Sequence, residues 1–129
     1  MKKYALVLLL IVATFALAQD KPVDWEARCD AKIVEIEAVI EILGPVVTYL
    51  TEAFEKNTFT ETTTEEWGDA VTQFTYANKY YDLAKSWMKE GKYNKLTFLK
   101  LEEAWQYYVK TGVAGLRAKS MVDHELGVE

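Results

Sequence analysis

The chain contains 129 residues, a normal length for one domain, and half of its residues are apolar. Its 15 basic and 20 acidic side chains give a net charge of −5 at pH 7. This acidic balance argues against nucleic acids and anionic membrane surfaces as partners, because both are bound through a surplus of Lys and Arg. Cys29 is the single cysteine, which excludes a disulfide within one chain.

The N-terminal segment has the pattern of an export signal. Two lysines follow Met1, a largely apolar stretch occupies residues 4–15, and Ala16-Leu17-Ala18 places small residues at the two positions that a signal peptidase reads. The apolar stretch is shorter than the about 20 residues of a transmembrane helix. We therefore expect residues 1–18 to be a cleavable signal peptide. The mature protein would be exported to the periplasm, the cell surface or the medium, without a stable membrane anchor.

The first predicted helix runs from about residue 23 to residue 56. Proline usually interrupts a helix, but the apolar pattern continues in phase across Pro45, which lies on the outward side. We therefore expect one kinked, continuous helix in preference to two separate helices. Its apolar residues alternate at spacings of three and four, which is typical of the buried face of a helix. The predicted buried face comprises Cys29, Ile33, Ile36, Ile40, Leu43, Val47, Leu50 and Phe54.

Two further helices follow a short threonine-rich loop. The second is predicted to begin at Thr63, which forms a capping box with Glu66, and to end near Glu90. The third is predicted to begin after the N-cap residue Asn94. The predicted buried face of the second helix comprises Trp67, Ala70, Phe74, Ala77, Tyr81, Ala84 and Met88. That of the third comprises Phe98, Leu101, Trp105, Tyr108, Gly112 and Leu116.

Helices of similar length joined by short connections typically pack antiparallel. The sequence therefore predicts an all-α fold, an up-down-up bundle of three helices over residues 19–118. Gly112 and Gly115 indicate either a close helix contact or a fraying helix end, because glycine disfavours a helix interior. The apolar pattern dissolves after Lys119, so residues 119–129 are predicted to form a flexible tail.

The reactive side chains do not form a known catalytic pattern. His124 is the single histidine, which leaves no paired imidazoles for a metal or haem site. No G-x-S-x-G turn and no Gly-rich phosphate loop occurs in the sequence. We therefore expect no metal, no cofactor and no enzymatic activity. The alternative is an enzyme that uses a buried carboxylate, for which Glu37 and Glu102 are the candidates.

The second helix carries more apolar surface than one buried face requires. Either this helix is central and touches both neighbours, or the extra residues form an exposed aromatic patch, since Tyr and Trp dominate binding surfaces. The patch reading favours a non-enzymatic, exported interaction module whose partner is another protein or a second copy of the chain. The candidate partner-binding residues are Tyr76, Tyr80, Leu83, Trp87 and, on the third helix, Tyr107.

Two alternatives concern the interior. The first is that the protein carries a small apolar or aromatic ligand between its helices. Large aromatic residues alternate there with small alanines, so we expect any such cavity among Trp67, Phe74, Tyr81 and Trp105. The second concerns Cys29, which is either a small buried hydrophobic residue or the site of an intermolecular disulfide, since an oxidising compartment permits such bonds.

Overall fold

The computed structural model describes residues 22–128, which form three helices: α1 (Trp25–Lys56), α2 (Glu61–Lys89) and α3 (Lys95–Leu126). No strand occurs in this range, so the prediction of an all-helical bundle is confirmed. The predicted signal peptide, residues 1–18, lies outside the described residues. None of these three helices combines the length and the apolar character that crossing a membrane requires.

Each helix begins at a polar residue whose side chain accepts a hydrogen bond from the amide three residues later. Asp24 caps α1, Thr60 caps α2 and Asn94 caps α3. The N-cap prediction is confirmed for Asn94 and wrong for Thr63. Thr60 supplies the capping oxygen one turn earlier, and the Thr63 side chain is buried instead. Helix α1 continues without a break through Pro45, so it is one helix and not two.

Helix α3 is the central element, because it packs along both α1 and α2. Helices α1 and α2 meet each other where the short loop joins them, through the stacked rings of Phe54 and Trp67, whose centroids are 5.7 Å apart. Phe59 of the loop packs on Phe54 at 4.7 Å. The alternative that the second helix is central is therefore wrong.

The buried face of α3 differs from the predicted one in its second half. Leu101 and Tyr108 are fully buried, as predicted, but Leu116 is 59% exposed. The residues that are buried in this half share a small or medium-sized side chain: Thr111, Ala114, Gly115, Ala118 and Val122. A central helix has to lie close to two neighbours at once, so small residues occupy its contact face and a leucine is left outside.

Gly112 and Gly115 mark this close contact and not a fraying end. A Cβ atom added at Gly112 would lie 3.2 Å from Cδ2 of Leu43, and one added at Gly115 would lie 3.5 Å from Cγ1 of Val46. Helix α3 continues for more than two turns beyond these glycines. The two residues therefore let α3 approach α1.

The prediction of a flexible tail over residues 119–129 is wrong, since α3 extends to Leu126. Two carboxylates attach this last part of the helix to distant segments. The Tyr49 hydroxyl donates a hydrogen bond to Asp123, and the Thr63 hydroxyl donates one to Glu125. Neither contact has a signature in the local sequence, because the partners are more than 60 positions apart.

These two carboxylates predict a dependence of stability on acid. Hydrogen bonds from Lys119 and Tyr49 lower the pKa of Asp123, and one from Thr63 lowers the pKa of Glu125. A carboxyl group whose pKa is lower in the folded state stabilises the fold above its unfolded pKa of about 4. That stabilisation is lost as the pH falls through the folded-state pKa.

We therefore expect the melting temperature to fall as the pH is lowered from about 5 to about 3. The double variant Asp123→Asn, Glu125→Gln should show a flatter profile over the same range. Circular dichroism melts at each pH measure this difference. Parallel profiles for the two proteins would show that these carboxylates do not contribute to the pH dependence.

Candidate functional site

Three tyrosines from two helices form a cluster of rings on the surface, which we call the tyrosine patch. Tyr76 and Tyr80 lie one turn apart on α2, with ring centroids 6.5 Å apart. The ring of Tyr107 on α3 is 5.5 Å from each of them. These separations lie in the range at which aromatic rings attract each other. The packing of α2 against α3 therefore brings together three of the five candidate binding residues.

The patch is open to solvent to different degrees. The Tyr76 side chain is 45% exposed, whereas Tyr80 and Tyr107 are half-buried and pack against the core. Leu83 is exposed and Trp87 is half-buried. These two residues follow Tyr76 at spacings of seven and eleven, which places them on the same face of α2 and Trp87 about 16 Å further along the axis. All five candidate side chains retain some accessible surface.

Two lysines extend the patch. The Nζ atom of Lys100 is 4.9 Å from the ring centroid of Tyr80, and that of Lys110 is 5.0 Å from the ring centroid of Tyr107. At these distances the ammonium group is attracted by the ring face. Lys100 also forms an ion pair with Glu103. The patch thus has an aromatic centre and cationic groups at its edge, although the chain as a whole is acidic.

Neither lysine was predicted from the sequence to belong to the binding surface. The spacing of three between Tyr107 and Lys110 was an available signal, because such residues are neighbours on a helix. No comparable signal exists for Lys100 and Tyr80, which lie on different helices and meet only after packing.

A second feature is a cavity of about 240 Å³ that all three helices line. Leu43 and Val47 of α1, Trp67 and Phe74 of α2, and Gly115 of α3 are among its walls. Its lining is almost entirely apolar. The small side chains of α3 create this space, since they leave a volume that α1 and α2 do not fill.

The cavity only partly matches the predicted position. Trp67 and Phe74 line it, but Tyr81 and Trp105 do not. The Tyr81 ring packs edge-on against Tyr108, with centroids 6.0 Å apart. The Trp105 ring lies 5.0 Å below the ammonium group of Lys32. Both rings are therefore engaged elsewhere in the bundle.

Neither of the carboxylates proposed for an enzyme is fully buried. Glu37 is exposed on α1, and Glu102 is half-buried on α3. Neither residue lines the apolar cavity. Within residues 22–128, no group of His, Cys, Asp and Glu side chains is arranged to hold a metal ion.

Cys29 is fully buried in the main core cluster, and burial raises the pKa of its thiol. Both properties disfavour reaction, because the thiolate is the reactive form and the sulfur has no access to a partner. An intermolecular disulfide at Cys29 would require the start of α1 to open first. The burial agrees with its reading as a small hydrophobic residue.

A scan of family models, a search of curated proteins and a search of solved structures each returned no match to this chain.

Proposed function

We propose that this protein is an exported, non-enzymatic interaction module that binds another protein through the tyrosine patch and the adjoining residues Leu83 and Trp87. The observation that carries the proposal is the cluster of three touching tyrosine rings, one of them 45% exposed, on the outside of the bundle.

These rings are suited to binding because holding them in place for a partner costs little conformational entropy. Tyr80 and Tyr107 are already held by the core and by each other, so little side-chain entropy remains to be lost on binding. Large aromatic side chains with few rotatable bonds are the residues that contribute most at protein interfaces. A complementary surface would be apolar at its centre and would carry a carboxylate near Lys110, since Lys100 is already paired with Glu103.

We also propose three finer features: an up-down-up order of the helices, a bend of α1 at Pro45 and export of the protein. Trp25 contacts Phe98 near the starts of α1 and α3, and Tyr49 contacts Asp123 near their ends. These pairings support an up-down-up order in which α1 and α3 run in the same direction. A bend of α1 at Pro45 is expected from the lost backbone hydrogen bond. Export rests on the sequence of residues 1–18.

Site-specific photo-crosslinking tests the interaction. The photoreactive residue p-benzoylphenylalanine replaces Tyr76 in the full chain, expressed in the organism of origin. We expect a discrete adduct at this position, to be identified by mass spectrometry. Asp82 is the matched control position, because it is exposed on α2 and, six residues after Tyr76, lies about 120° around the helix from it. An adduct of twice the chain mass would identify a second copy as the partner. Equal adduct patterns at residues 76 and 82 would contradict the proposal.

Binding measurements on the purified pair then test the named residues. Tyr76→Ala and Trp87→Ala are each expected to weaken binding about tenfold or more, as hot-spot residues do. The far-UV circular dichroism of both variants should remain that of the parent protein, since neither side chain is fully buried. Unchanged affinity in both variants would show that the partner binds elsewhere.

A further inference from the structure

We infer that the interhelical cavity is a binding site for a small, uncharged, apolar molecule of about the size of a two-ring aromatic compound. This inference goes beyond the proposed protein interaction, and the residues that line the cavity are distinct from those of the tyrosine patch. It rests on the polarity, the volume and the lining side chains of the cavity.

The polarity of the lining selects an apolar ligand. Thr51 and Thr111 carry the hydroxyl groups among the lining side chains. Each hydroxyl already donates a hydrogen bond of 2.7 Å to the backbone carbonyl four residues earlier, at Val47 and Tyr107 respectively. The Trp67 indole is the remaining polar side chain. The cavity therefore offers almost nothing to a polar or charged ligand, which would lose its hydration without compensation.

The volume sets the size of the ligand. An apolar cavity of about 150 Å³ in another protein stays dry and binds benzene. The cavity of about 240 Å³ here is about one and a half times as large. Water gains few hydrogen bonds in such a space, and the lining atoms lack packing partners while it is empty. A ligand somewhat larger than benzene would restore those contacts.

The side chains that line the cavity favour a flat, aromatic ligand. Trp67 is held by stacking against Phe54 at an interplanar angle of 16°, and Phe74 lies 6.1 Å from the ring of Tyr108. Two fixed aromatic side chains thus form one wall, and the aliphatic residues of α1 form the other. Val71 of α2 lines the cavity and is 43% exposed, so it lies on the solvent side of the cavity. A ligand can enter there because these two helices pack mainly on α3.

Indole is a suitable probe, because it is flat, uncharged and sufficiently soluble. We expect saturable binding to the purified protein with a dissociation constant of roughly 10 µM to 1 mM, in keeping with the affinity that so few atoms can provide. The signal of the Trp67 indole N–H in ¹⁵N-resolved NMR spectra should shift during the titration. Indole-3-carboxylate should bind at least tenfold more weakly, because its charge would have to enter the apolar space.

Filling the cavity should abolish this binding. Ala70→Leu places additional carbon atoms inside it and is expected to weaken indole binding at least tenfold. Ala38→Leu is the matched control, because Ala38 is exposed on α1 and the change should leave the affinity unaltered. If Ala70→Leu does not fold, Gly115→Ala serves instead, since the new Cβ atom meets Val46 at an ordinary contact distance of 3.5 Å.

Two results would overturn the inference. One is the absence of saturable binding of indole to the parent protein. The other is unchanged indole affinity in the folded cavity-filling variant. The Tyr76→Ala variant should bind indole as the parent does, so failure of the cavity site is distinguishable from failure of the proposed protein interaction.

Discussion

Leu101→Ala should lower the free energy of unfolding by about 2–5 kcal/mol, whereas Leu116→Ala should change it by less than about 0.5 kcal/mol. Both leucines belong to the buried face that the sequence predicts for the third helix. In the structure, Leu101 is 0% exposed in the main core cluster and Leu116 is 59% exposed. Truncation at Leu101 removes packed methyl groups and leaves a void between the helices. Truncation at Leu116 removes groups that already contact water.

Urea titrations of the two variants measure this difference. Because both substitutions replace leucine with alanine in the same helix, the change in helix propensity is the same and small. The comparison therefore isolates burial. Equal destabilisation by the two substitutions would mean that α3 is rotated relative to the arrangement described here.

Ending the chain after Lys119 should destabilise the fold by at least about 2 kcal/mol and lower its melting temperature by roughly 10 °C. The truncation removes Val122, which is fully buried against Leu50 and Ala53 of α1. Burial of one valine side chain contributes about 1.5–3 kcal/mol. The contacts of Asp123 with Tyr49 and of Glu125 with Thr63 are lost as well. Calorimetry of the truncated and full-length proteins measures the change.

Val128→Ala is the control for this experiment, because Val128 is exposed and follows the end of α3. It should leave the melting temperature within about 2 °C of the parent value. A truncated protein as stable as the parent would restore the interpretation of residues 119–129 as a loose tail.

The helices themselves were predictable because their signals are local. The spacing of apolar residues placed the buried faces of α1 and α2 correctly, including Ile36 and Leu50 on α1 and Ala77 on α2. Asn94 was recognisable as a cap because its side chain acts three residues away. Thr60 and Thr63 could not be told apart on that basis. Both threonines donate hydrogen bonds to Glu125, which lies more than 60 positions further along the chain, so the choice between them depends on a distant residue.

The candidate site was predictable in part. Tyr76, Tyr80, Leu83 and Trp87 follow one another at helical spacings, so their common face was visible in the sequence. The ring contacts of Tyr107 with α2 depend on how two helices are aligned, and the position of the cavity depends on which side chains leave space unfilled. Neither property can be predicted from the spacing of residues along one helix.

The amino-acid sequence by itself determined that the described part of this protein forms three helices and which faces of α1 and α2 are buried. These properties arise from interactions within four residues along the chain. Tertiary structure decided that α3 is the central helix, that its C-terminal turns belong to the core and that Leu116 lies outside it. A helix such as α3, with apolar residues on several faces, could bury any of these faces, so its own sequence pattern allows more than one orientation in the bundle. Which face is buried depends on the side-chain volumes and polar groups of the segments that pack against the helix, and these are distant in sequence.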